Sequence, residues 1–120
     1  MTEKEIILIE LLGNCEIFKW EKKEEGEYKT YIPNSSMSAS IELKKRVALS
    51  PNLWCTVSIR EYLLGDIWSC SLVYGKDNDQ LTTFYDTIVE GVKRRNELAQ
   101  EEALDRIISV LKGENHATTK

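Results

Sequence analysis

The sequence predicts an α+β fold: a short N-terminal helix, an antiparallel sheet of about five strands, and one or two C-terminal helices packed on one face of it. Three observations carry this. The stretch "VSIREYLLGDIWSCSLVYG", Val57 to Gly75, alternates apolar and polar residues around a glycine, as a half-buried hairpin does. From Asp77 the apolar period becomes helical, with Leu81, Phe84, Tyr85, Ile88, Val89 and Val92 on one side. At the start, "TEKE" has the form of a capping box ahead of an apolar run.

Taken in order, Thr2 caps a first helix that carries Leu8, Leu11 and Leu12 on one face and stops at Gly13-Asn14. A strand through "IILIELL" is the runner-up, because isoleucine favours strands. "CEIFKWEKKEEGEYKTYIP" reads as a hairpin, with Cys15 to Glu21 and Glu27 to Ile32 flanking a charged turn and Phe18 and Trp20 turned inward. "PNSSMSAS", Pro33 to Ser40, is polar and small and reads as a loop. Ile41, Leu43, Val47 and Leu49 then share one parity, which predicts a strand ended by the turn "SPNL".

The next hairpin is the most closely specified element. Gly65-Asp66 fits a two-residue turn with glycine at the position that needs positive φ. That sets Leu64 opposite Ile67, Arg60 opposite Ser71 and Val57 opposite Tyr74. Cys55, Val57, Ile59, Leu63, Trp68, Cys70, Leu72 and Tyr74 form a core face with Glu61 as its one charge. Trp54, Thr56, Ser58, Arg60, Tyr62, Ser69, Ser71 and Val73 form an amphipathic second face. That face is either open or covered by the N-terminal hairpin or helix, in which case Trp54 is core.

The helical period runs on through Ala99, Ala103, Ile107, Val110 and Leu111 to Gly113, after an N-cap at Asp77 or Asp79. A straight helix of roughly 30 residues is about 45 Å long, more than a domain of this size spans. It either breaks near "RRNELAQ" or packs its distal half on a second copy or a partner. Residues 1–113 are read as one domain and 114–120 as a disordered tail.

Bulk properties exclude several classes. The 120 residues are 42% hydrophobic and 30% charged, the balance of a folded chain rather than a disordered one. A net charge of −4 argues against a protein that coats DNA non-specifically. No apolar run approaches the roughly 20 residues that span a bilayer, and the start lacks the pattern of a signal peptide, so the expected location is cytoplasmic. The odd set Cys15, Cys55 and Cys70 has no metal-knuckle or redox-pair spacing, so buried free thiols are expected.

Catalytic patterns are thin. The one histidine, His116, lies in the polar tail, far from any paired nucleophile. Glu42-Leu43-Lys44 has the E-x-K spacing of one nuclease class, but the acidic residues before it are all glutamates. A carboxylate site would have to join Glu42 and Glu61. No phosphate-cradling glycine loop is present, and Gly91 sits mid-helix at a close contact or a bend.

The sequence therefore predicts a non-enzymatic protein–protein interaction module: a regulator, inhibitor or chaperone-like accessory protein without cofactor or metal. A homodimer through the C-terminal helix or the sheet face is expected. Trp54, Arg60, Tyr62 and Val73 are the expected partner-binding residues, because Trp, Tyr and Arg dominate binding hot spots. The alternative is a nucleic-acid-binding module. It would use Lys44, Lys45 and Arg46 with Lys93, Arg94 and Arg95, and stack bases on the sheet-face aromatics.

Overall fold

The computed structural model describes residues 1–75 and 79–113. Helix α1 spans Glu3–Leu12. Five strands follow: β1 Glu21–Glu24, β2 Glu27–Tyr31, β3 Met37–Lys44, β4 Trp54–Glu61 and β5 Gly65–Val73. Helix α2, Asp79–Leu111, is the last element among the described residues. The strands pair antiparallel in the order β1-β2-β3-β4-β5, so each strand lies beside its sequence neighbour. The fold is the α+β arrangement that the sequence predicts, with a single C-terminal helix. The expected tail, 114–120, and the N-cap candidate Asp77 lie outside the described residues.

The capping box forms. The Thr2 amide donates to Glu5 Oε1 at 2.9 Å, and the Glu5 amide donates to Thr2 Oγ1 at 3.2 Å. Glu5 has a second task, since its other oxygen accepts the Trp68 indole N–H at 2.9 Å and ties α1 to β5. These hydrogen bonds, the Thr2 backbone one first, hold its carboxyl below the ordinary glutamate value. The buried face of α1 is Ile9 and Leu12, with Leu8 half-buried, whereas Leu11 is exposed.

The first hairpin is shorter than its sequence pattern. Cys15 to Phe18 form turns, and only Glu21–Glu24 extends as β1. Trp20 is enclosed as expected. Strand β3 begins at Met37, inside the stretch that reads as a loop, and ends at Lys44. Val47 and Leu49 lie exposed in the β3–β4 connection rather than on a strand, because matching parity does not tell how far a strand runs.

The β4–β5 hairpin keeps its two faces but not its turn. Cys55 pairs with Leu72, Val57 with Cys70 and Ile59 with Trp68, and a register shift follows Ile59. Tyr62, Leu63 and Leu64 make the loop, with Gly65 at φ 81° as the first residue after it. Glu61 secures that loop by accepting the Leu63 and Leu64 amides at 2.9 and 2.7 Å. Relative to a Gly65-Asp66 turn, the register moves by four residues, an even number, so inner and outer residues keep their sides. Leu63 and Tyr62 are the casualties: both leave the sheet for the loop, where they are 83% and 86% exposed.

The core lies between the inner sheet face and α2. Ile41, Cys55, Val57 and Ile59 meet Leu81, Phe84, Ile88 and Val92, all buried. Tyr85 stands edge-on to Tyr28 and Tyr74, with ring centroids 6.0 and 5.8 Å apart. The Leu81 carbonyl accepts from the Cys55 thiol, while Arg95 donates to the Trp20 carbonyl, next to β1. Helix α2 thus crosses the whole sheet from β4 to β1 and then leaves it.

Gly91 marks a close contact. A Cβ there would stand 2.5 Å from Cys15 Sγ and 3.1 Å from Cys15 Cβ. Gly91→Ala is therefore expected to destabilise the domain by about 1 kcal/mol, the overpacking cost less the gain in helix propensity. Urea unfolding of Gly91→Ala in wild-type and Cys15→Ala backgrounds checks it: the cost shrinks when Sγ is gone.

Two groups make the core sensitive to alkali. Burial pushes the Cys55 thiol up to about 12. The hydrogen bond that Tyr74 donates to Asp86 at 2.6 Å, with burial second, pushes its phenol up to about 12. In both cases the folded state prefers the protonated form. The stability this confers is complete below the unfolded values, about 8.5 and 10, and is lost as pH rises towards 12. Melting temperature is expected to fall steadily between pH 9 and 12, and to fall less in Tyr74→Phe.

Candidate interaction surfaces

The outer sheet face is open: no described element packs on it. Its rows follow from register. Lys29, Ser40, Ser58 and Ser69 stand side by side across β2 to β5, and Glu27, Glu42, Thr56 and Ser71 form the next row. Glu42 and Glu27 both pair with Lys44, at 3.2 and 3.5 Å. The Thr56 and Ser71 hydroxyls share a hydrogen bond of 2.7 Å.

Trp54 lies at one end of this face, opposite Val73. It is not core. Arg46, from the β3–β4 connection, lays its guanidinium 4.1 Å from the Trp54 ring centroid and also donates to the Ser71 hydroxyl. The indole is thus half-covered by a charge, which keeps an aromatic anchor on the surface without a bare apolar patch. Arg60 lies at the other end, 3.9 Å from Asp66. Of the four expected partner-binding residues, Trp54, Val73 and Arg60 share this face, and Tyr62 stands off it at the hairpin tip.

The two basic clusters do not form one surface. Lys44 and Arg46 belong to the outer side of the sheet, and Lys45 is exposed beside them. Lys93, Arg94 and Arg95 belong to α2, on the inner side, where Arg95 is tied to the Trp20 carbonyl at 2.5 Å. Lys93 and Arg94 are exposed.

The acids that could cooperate in catalysis are apart. Glu42 is level with Thr56 on the outer face, while Glu61 lies five positions further along β4, roughly 16 Å, at the hairpin end. Glu61 is engaged by the Ser36 hydroxyl at 2.6 Å and by the loop amides, the Ser36 bond being the main cause of its lowered pKa. Among the described residues no group of three His, Cys, Asp or Glu side chains is placed to hold a metal ion. The three cysteines are free thiols, and burial raises the pKa of Cys15 and Cys70 as well as Cys55.

A continuous exposed apolar stripe runs along the distal half of α2. Beyond Arg95 the helix continues for sixteen residues to Leu111 with no described element against it. Leu104, Ile107, Ile108 and Leu111 recur at i, i+3, i+4 and i+7, with Val110 beside them. These five are between 48% and 80% exposed. The sequence shows the helix as over-long; only the structure shows that it neither breaks nor folds back.

Among the described residues no helix is long and apolar enough to cross a membrane. Comparison with protein-family models, curated proteins and solved structures finds no match to this chain.

Proposed function

We propose that this chain is a small cytoplasmic, non-enzymatic protein–protein interaction module, of the regulator, inhibitor or accessory-chaperone kind, that works as a homodimer. One observation carries the reading: the distal half of α2 is an amphipathic helix whose apolar stripe has no cover among the described residues. An isolated helix of this length is marginal in water, and most helical stability comes from packing an apolar face. A helix that leaves its own domain with such a face is built to meet another surface. The separation of Glu42 from Glu61 favours a binding role over a carboxylate-based reaction. In this reading the Trp54, Val73 and Arg60 face serves a further protein partner. Light scattering on the whole chain tests the homodimer. At tens of micromolar the expected mass is twice the 13.8 kDa of one chain. A mass of one chain contradicts it.

A further inference from the structure

We infer that the occupant of the α2 stripe is the same stripe of a second copy, with the two helices antiparallel. This rests on the homodimer reading and names its interface. Two observations select it.

The first is area. Leu104, Ile107, Ile108, Val110 and Leu111 retain 58%, 53%, 48%, 50% and 80% of their accessible surface. That leaves on the order of 500 Å² of apolar side chain per copy, so pairing two copies removes roughly 1,000 Å², the threshold of a specific interface. The outer sheet face, lined with serines and paired charges, has no comparable apolar surface. Two self-contacts compete: the short β4–β5 hairpin tip, where Tyr62, Leu63, Leu64 and Ile67 are between 52% and 86% exposed, and the β5 edge. Tyr74 donates to the Leu53 carbonyl at 2.8 Å, so the inward-bonding positions of β5 are even-numbered, and the backbone groups of Ser69 and Ser71 point away from the sheet. Those two residues present a short hydrogen-bonding edge with little area beneath it.

The second observation is charge. The overhang of α2 follows directly on Lys93, Arg94 and Arg95, three adjacent cations. Antiparallel pairing of the two stripes carries each basic cluster past the end of the other helix, far from its own image. Parallel pairing would set each cluster beside its own image. Antiparallel pairing also sends the two domains to opposite ends of the helix pair.

Sedimentation equilibrium of the whole chain and three variants tests this. Leu104→Glu with Ile108→Glu is expected to raise the dimer Kd about a hundredfold or more, by burying charge in the interface. Lys93→Gln with Arg94→Gln is expected to leave Kd within about threefold, because antiparallel pairing keeps the two clusters further apart than the screening length of about 10 Å. Ser69→Pro removes an N–H that the sheet does not use and is expected to leave Kd unchanged. Unchanged thermal unfolding and Trp20 emission identify variants whose domain is intact. A dimer that survives the glutamates, or that only Ser69→Pro dissolves, overturns the stripe as interface and leaves the homodimer standing. A Kd that falls by more than about threefold in the glutamine variant overturns the antiparallel order, because it reports relief of like-charge repulsion. A wild-type monomer overturns the homodimer reading itself.

Discussion

Trp20→Ala is expected to cost the domain about 3–5 kcal/mol, the range for removing a large enclosed aromatic. Trp20 is 1% exposed and joins three parts of the chain. Its indole N–H donates to the Leu12 carbonyl at 2.9 Å, at the end of α1. Its ring stands edge-on to Phe84 of α2, with centroids 5.7 Å apart at 77°. Its own carbonyl accepts from Arg95. Truncation therefore opens a cavity between both helices and β1, and leaves the Leu12 carbonyl without its donor. Trp20→Phe separates the two effects. It keeps much of the volume but forfeits the hydrogen bond, so about 1–3 kcal/mol is expected. Urea midpoints measure both, and the losses should rank Trp20→Ala above Trp20→Phe.

The second large effect is a contrast within one helix. Ile88→Asp and Ile108→Asp make the same chemical change, twenty positions apart on α2. Ile88 is fully enclosed between the helix and the sheet. An aspartate there is a carboxylate without a counter-ion in the core, and a cost above about 4 kcal/mol is expected, enough to leave little folded protein. Ile108 is 48% exposed within one chain. Ile108→Asp is expected to leave the unfolding of the isolated domain unchanged while weakening self-association. Circular dichroism at high dilution isolates the domain: Ile88→Asp loses its signal, and Ile108→Asp keeps it over the sheet and the proximal half of α2.

What the sequence reveals here follows from which physical constraint it records. Alternation along β4 and β5 assigns Val57, Ile59 and Leu72 to the core and Thr56, Ser58 and Ser71 to the outer side, and the structure agrees. Alternation fixes register only to the nearest even number, so it cannot choose between a turn at Gly65-Asp66 and the loop Tyr62 to Leu64. The structure chooses the loop, where Glu61 can bind two amides, and Tyr62 leaves the face it was expected to share with Trp54. Val47 and Leu49 fail for a related reason, since parity records which side a residue takes only if the strand continues that far. The Arg46 stack on Trp54 is a contact between a loop and a strand, and no local period encodes it. Gly91 is conspicuous as a glycine in a helix, but its reason, Cys15 pressed against it, lies in the loop after α1. The over-long C-terminal helix is legible because its apolar period continues after the domain beneath it has ended.

Hydrogen exchange at two protein concentrations tests most directly whether a second copy holds the distal half of α2. Above the dimer Kd, amides from Leu98 to Leu111 are expected to exchange slowly, as those from Phe84 to Val92 do. On dilution well below Kd, the distal amides are expected to speed up by the fraction of monomer, while the proximal ones stay slow. Distal amides that exchange equally fast at both concentrations would contradict a helix held by its own copy.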